Sequence, residues 1–171
     1  MPRYVAFLRG VSPMNAKMPE LKACFEAAGF EEVRTVLSSG NVVFNARVTT
    51  LTRLEHRAVQ AMHTSLGRAF AIIVRPAAYL QELVARDPFS EFDLPPTAKR
   101  VVTFLRSSEG LCVELPVERD GARILKLAAG EVFTTYEPNP KGPVFMTLLE
   151  RTFGKDITSR TLDTVKKCAW A

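Results

Sequence analysis

The chain is poor in the residues that carry most protein chemistry. It has three cysteines, two histidines and one tryptophan in 171 residues. Cys24, Cys112 and Cys168 lie far apart, are odd in number and form no CxxC, so reduced buried thiols are expected and a disulfide framework or zinc knuckle is not. His56 and His63 stand seven positions apart on one predicted helix. That is about 10 Å of rise, too long for one metal ion. No GxGxxG, no Gly-Lys-Ser/Thr phosphate loop and no GxSxG elbow occurs, and Lys17 is flanked by Ala16 and Met18. No apolar run approaches the roughly 20 residues that span a bilayer. The opening MPRYVAFLRG lacks a signal-peptide core, so a cytoplasmic location is expected, with no membrane partner. None of these observations compels an enzyme, a cofactor or a metal, and the expectation leans towards a non-enzymatic protein.

What is present is ordinary globular material: 47% hydrophobic and 24% charged residues, with 23 basic side chains against 18 acidic ones. The resulting net charge of +5 favours soft attraction to anions. The charges are dispersed, however, with Lys166-Lys167 the nearest thing to a basic cluster, so nucleic acid is a possible partner and not the favoured one.

The periodicity lays out a fold. Arg3 to Leu8 reads as a strand, and a loop runs from Arg9 to Lys17. Pro19 and Glu20 open a helix carrying Leu21, Cys24, Phe25 and Ala28, which Gly29 closes. Val33 to Leu37 and Val42 to Phe44 are β runs with Gly40-Asn41 between them, read as a two-residue primed turn. Thr50 to Leu66 is helical and stops at Gly67. Ala69 to Val74 is a fourth strand. The order β-α-β-β-α-β is the ferredoxin-like pattern. A helix from Pro76 to Ala85 precedes a proline-rich connector whose phenylalanines argue for packing.

Beyond the connector, a strand over 100–105, turn and short helix over 107–116, a hairpin of 123–127 with 132–136, a helix over 143–153 and a final helix capped by Thr158 or Ser159 are predicted. That helix should turn Leu162, Val165 and Trp170 inward. The expected fold class is α+β: a ferredoxin-like N-terminal subdomain over 1–86, a connector over 87–98, and a smaller α/β C-terminal subdomain over 99–171 with a terminal helix.

In this topology the first and second strands run parallel, so the loop after the first strand and the hairpin after the second share one sheet edge. Arg9, Gly10, Asn15, Lys17, Ser39, Gly40 and Asn41 are therefore candidate ligand-binding residues. They offer cations, hydroxyls, amides and glycine backbone to an anionic or polar ligand. Arg160, among the hydroxyls of Thr158, Ser159 and Thr161, is a further candidate. Local capping and turn bonds are the simpler role for Asn15, Ser39 and the Thr158–Thr161 cluster. Two alternatives stand beside the binder: an RNA-binding protein using Tyr4, Phe7 and Phe44 on the first and third strands, and an enzyme on a small phosphorylated or carboxylated metabolite clamped by Arg9 or Arg160.

Three blocks, FLRGVSPMNAKMPELKACFEAAGF, VRTVLSSGNVVF and ITSRTLDTVKKC, together resemble the domain of unknown function 1697 family in order and separation. The resemblance implies a bacterial cytoplasmic α+β protein of two subdomains, the first ferredoxin-like, with no assigned reaction or ligand. Arg9, Gly10, Lys17, Ser39, Gly40, Asn41 and Arg160 fall on positions shared in that pattern. The chain departs from it at Pro13-Met14, where many members resemble Gly-Gly, and at Arg160-Thr161, where many resemble Arg-Asn.

Overall fold

A computed structural model describes residues 1–109, 111, 113–138 and 144–171. Cys112 and Pro143 lie outside the described residues. The chain divides into two compact units: Met1–Ala85 with Lys166–Ala171, and Arg86–Val165. Both are mixed helix and sheet, with one antiparallel sheet each and five helices in all among the described residues.

The first unit runs β1 (Arg3–Leu8), α1 (Met18–Ala27), β2 (Glu31–Thr35), β3 (Asn41–Asn45), α2 (Leu51–Leu66), β4 (Ile72–Pro76) and α3 (Ala77–Arg86, whose last residue passes to the second unit). Its strands are ordered β2-β3-β1-β4, every neighbouring pair antiparallel. β4 begins at Ile72 and not at Ala69, because its register on β1 starts with Leu8 opposite Ile72. Tyr4, Ala6 and Leu8 of β1 join Leu21, Cys24 and Phe25 of α1 and Leu54, Ala58 and Met62 of α2 in one core. Those helical triads recur at three and four residues, so each helix lays a single stripe on the sheet. The alternate residues Val5, Phe7, Val43 and Ile73 are buried as well. A central strand buried on both faces explains why β1 is an unbroken apolar run. Phe44 anchors the interior, its ring centroid 4.2 Å from that of Phe30 and 5.9 Å from that of Tyr4.

Helix ends are satisfied locally. Thr50 accepts the Arg53 N–H at 3.2 Å and caps α2, and Gly67 ends it in the left-handed conformation. Arg57 on α2 donates to the Ala28 carbonyl at 2.7 Å while its guanidinium sits 4.5 Å from the Phe30 ring centroid, so one cation closes α1 and covers the core. On the edge strand β4, the Val74 N–H is taken by the Glu55 carboxylate at 3.2 Å, which blunts that edge. Arg3 donates to the Ala171 carbonyl at 2.7 Å and to the Asn45 side-chain oxygen at 2.8 Å. With Gln81 donating to the Ala169 carbonyl at 2.8 Å, it ties the last residues to the first unit.

The second unit holds β5 (Lys99–Leu105), β6 (Val117–Arg119), β7 (Ala122–Ala128), β8 (Glu131–Tyr136), α4 (Val144–Phe153), β9 (Ile157–Thr161) and the first half of α5 (Leu162–Ala169), with strands ordered β6-β7-β8-β5-β9. It differs from the sequence expectation in four respects. No helix appears among the described residues of 107–116, and a short strand, β6, follows instead. Residues 157–161 form a strand, because Val101 to Leu105 offer that segment a full antiparallel partner. Neither Thr158 nor Ser159 therefore caps the last helix: Thr161 does, accepting the Thr164 N–H at 3.3 Å. Trp170 is exposed, not inward. The expected packing of the connector is observed at Phe89, which is buried edge-on against Phe133, centroids 5.7 Å apart.

Two substitutions test this account. Gly40 has φ +87°, and a Cβ there would lie 2.9 Å from that of Val11. Gly10 has φ +82° with open space around it. Gly40→Ala is expected to cost at least about 2 kcal/mol and Gly10→Ala about 1 kcal/mol, read from urea midpoints; equal losses would refute the contact. Thr134 Oγ is buried with no hydrogen-bond partner among the described residues. Thr134→Val should therefore stabilise by about 1 kcal/mol, seen as a higher Tm.

Candidate functional site

The end of β1, the start of β3 and the start of β4 meet at one sheet edge, as Phe7 opposite Asn41 and Leu8 opposite Ile72 require. Backbone bonds then lock the adjoining loops. Leu8 N–H donates to the Gly40 carbonyl at 2.8 Å, and Arg9 N–H to that of Ala71 at 2.9 Å. Past them the chain winds into a tight turn around Ser12 and Asn15. The Asn15 side-chain oxygen accepts the Ser12 N–H at 2.9 Å, and its amide donates to the Gly10 carbonyl at 2.8 Å. Buried Val11 and Ala16 seat the turn.

The hairpin is not the two-residue turn expected at Gly40-Asn41. β2 ends at Thr35 and β3 begins with Asn41 itself, so residues 36–40 form the loop. Its positive-φ positions are Leu37 and Gly40. The cause is the Asn41 side chain. Fully buried, its amide donates to the Val36 carbonyl at 2.9 Å and the Ser39 hydroxyl at 3.0 Å, while Val36 N–H bonds the Asn41 carbonyl at 2.9 Å. One side chain braces the whole loop, as a buried amide must be satisfied.

Of the sequence candidates, Arg9, Gly10, Asn15, Lys17, Ser39, Gly40 and Asn41 sit on these two loops of the first unit. Gly10, Asn15, Lys17 and Ser39 are exposed and Arg9 is half-buried. Gly40 and Asn41 are interior and shape the loop. Lys17 stands at the N-terminal cap of α1 without a side-chain capping bond, and its ammonium makes no ion pair with any described residue. Arg160 lies on β9 of the second unit, half-buried, donating to the Ser159 carbonyl at 2.8 Å. Nearby, Ser159 and Thr103 hydroxyls bond each other at 2.7 Å, and Thr158 is buried. That cluster is built into a strand and does not form a helix N-terminus.

Tyr4, Phe7 and Phe44 are all core, at 4%, 0% and 0% exposure, so they offer no stacking platform to bases. His56 and His63 are exposed on α2. No group of three or more His, Cys, Asp or Glu side chains able to hold a metal is found among the described residues. No helix of the described residues is long and apolar enough to cross a membrane. Sequence reasoning missed a cavity beside α1 lined by Glu20, Cys24, Ser65 and Arg68. No local sequence signal marks it, since its lining comes from α1 and from the end of α2 and the chain beyond.

Burial pushes the Cys24 thiol above its ordinary range, partly offset by a hydrogen bond from Ser65. The folded state therefore holds the proton more tightly than the unfolded one. The resulting stabilisation is complete below the free-thiol value of about 8.5 and is lost as pH rises from there through the raised folded value. Urea midpoints between pH 7 and 10 should fall less steeply in Cys24→Ala than in the parent, and iodoacetamide should label Cys24 slowly at neutral pH.

Comparison with known proteins gives three findings. The family described as "Protein of unknown function (DUF1697)" matches residues 1–133. A solved structure, described as that of a conserved bacterial protein from Streptococcus pneumoniae, is similar with a TM-score of 0.72 at 19% identity, covering 99% of this chain and 97% of that one. At that identity the likeness is one of fold. No curated protein matches.

Proposed function

This chain belongs to the DUF1697 family, and from that premise we propose that it is a non-enzymatic binding protein for an anionic or polar ligand. The site is the edge formed by Arg9 to Lys17 and Ser39 to Asn41. One observation carries the reading. The exposed Lys17 ammonium, which makes no ion pair with a described residue, stands on a loop pinned to the hairpin by the Leu8–Gly40 bond and the Val11–Gly40 contact. A cation on a rigid loop loses little entropy on binding.

In this reading Arg9 and Lys17 supply charge and Ser39 and exposed backbone amides orient the ligand. Asn15, Gly40 and Asn41 hold the loops in shape. Arg160, on the second unit, is not part of this proposal. The same proposal takes residues 1–86 as a ferredoxin-like subdomain, supported by the β-α-β-β-α-β order and the strand order β2-β3-β1-β4. It also takes the protein to work in a reducing cytoplasm, supported by Cys24 and Cys168, buried cysteines that form no disulfide.

Calorimetric titration of the intact protein with inorganic phosphate, pyrophosphate and nucleotides should find a ligand that survives moderate salt. Lys17→Ala should weaken it about tenfold, the size of one charge-assisted hydrogen bond, with Tm unchanged. Unchanged affinity in both Lys17→Ala and Arg9→Ala would overturn the assignment.

A further inference from the structure

Beside this edge, on the helical side of the first unit, lies an open cavity of about 560 Å³. Its volume is within the range of small-molecule sites. α1 gives it Glu20, Ala23, Cys24 and Ala27, a helical face on which the two alanines leave room; the end of α2 gives it Ser65, and the chain beyond Gly67 gives it Arg68.

Its charges carry the argument. Arg68 lies over the Phe70 ring, 4.6 Å from the centroid, so the guanidinium plane is supported by an aromatic face. It makes no ion pair with a described carboxylate, and Glu20 makes none with a described cation. An acid and a base thus line one cavity, and they do not neutralise each other. A purely anionic guest would set its charge beside Glu20, and a purely cationic one would set its charge beside Arg68. A guest carrying both charges satisfies both walls. Cys24 and Ser65, hydrogen-bonded to each other, add a polar, uncharged lining.

We propose that this cavity binds a small zwitterion, an α-amino acid or a short peptide, with Arg68 taking the carboxylate and Glu20 the ammonium. The inference does not rest on the edge site, whose cations are Arg9 and Lys17.

The test is a titration of the intact protein with the free L-amino acids and with glycylglycine, followed by amide chemical shifts. Saturable shifts at Glu20 to Ala27 and Ser65 to Arg68 are expected for at least one of them. Acetylating the ligand's amine, amidating its carboxylate, Arg68→Ala and Glu20→Gln should each weaken binding about tenfold or more. Ala23→Leu should abolish it with Tm unchanged, and Lys17→Ala should leave it intact. The two ligand derivatives test the charge pairing on the parent protein, whatever the variants do to folding. No saturable binding across the panel overturns the proposal. So does binding indifferent to both ligand derivatives, or binding lost in Lys17→Ala.

Discussion

The backbone of Gly40 passes so close to Leu8 and Val11 that no side chain fits between them, and the edge of the first sheet depends on that approach. β1 is the central strand, and its last N–H donates into the hairpin instead of ending in solvent. The hairpin can come that close only because φ at Gly40 is +87°. Once it does, the loop after β1 has a wall to pack on, Val11 and Ala16 are covered, and Asn15 can wind the turn. Asn41 completes the arrangement from inside, since its buried amide has acceptors only if the loop adopts this shape. Order in the two loops follows from a clash that glycine avoids.

Local chemistry was legible in the sequence, and pairing across distance was not. α2 could be read from Thr50 to Gly67 because its cap, stripe and stop all lie within its own segment. β1 was equally plain, as a buried central strand leaves no polar face to blur the run. The hairpin was found at the right place but with the wrong turn. Gly40-Asn41 fits a two-residue turn by propensity, and the bond that decides otherwise runs from the Asn41 side chain back to Val36. β9 was missed for a related reason. Thr158 and Ser159 look like caps to any local reading, whereas their pairing partner, β5, lies far back along the chain. The meeting of the two loops at one edge was legible through topology alone. The cavity beside α1 was not, because Glu20 and Arg68 share a wall only after α1 and α2 have packed.

Two kinds of electrostatic surface thus adjoin in the first unit. The edge carries Arg9 and Lys17 on ordered loops, and the guest proposed for it is negatively charged. The cavity carries one charge of each sign and suits a guest that is neutral overall. They share Asn15 and Ala16 as boundary, so the turn wound by Asn15 shapes both. The Streptococcus pneumoniae structure shows the same fold in a bacterial protein only 19% identical to this chain.

The first unit is discontinuous: residues 166–171 belong with residues 1–85. Arg3 opens β1, and its carbonyl partner, Ala171, lies 168 residues further along the chain. A growing chain can therefore build the sheet and helices α1, α2 and α3 of this unit early, yet it must make the whole second unit before Arg3 and Gln81 meet the Ala171 and Ala169 carbonyls. Until then Arg3 has only Asn45 and Glu32 to donate to, and the incomplete first unit waits on residues 166–171.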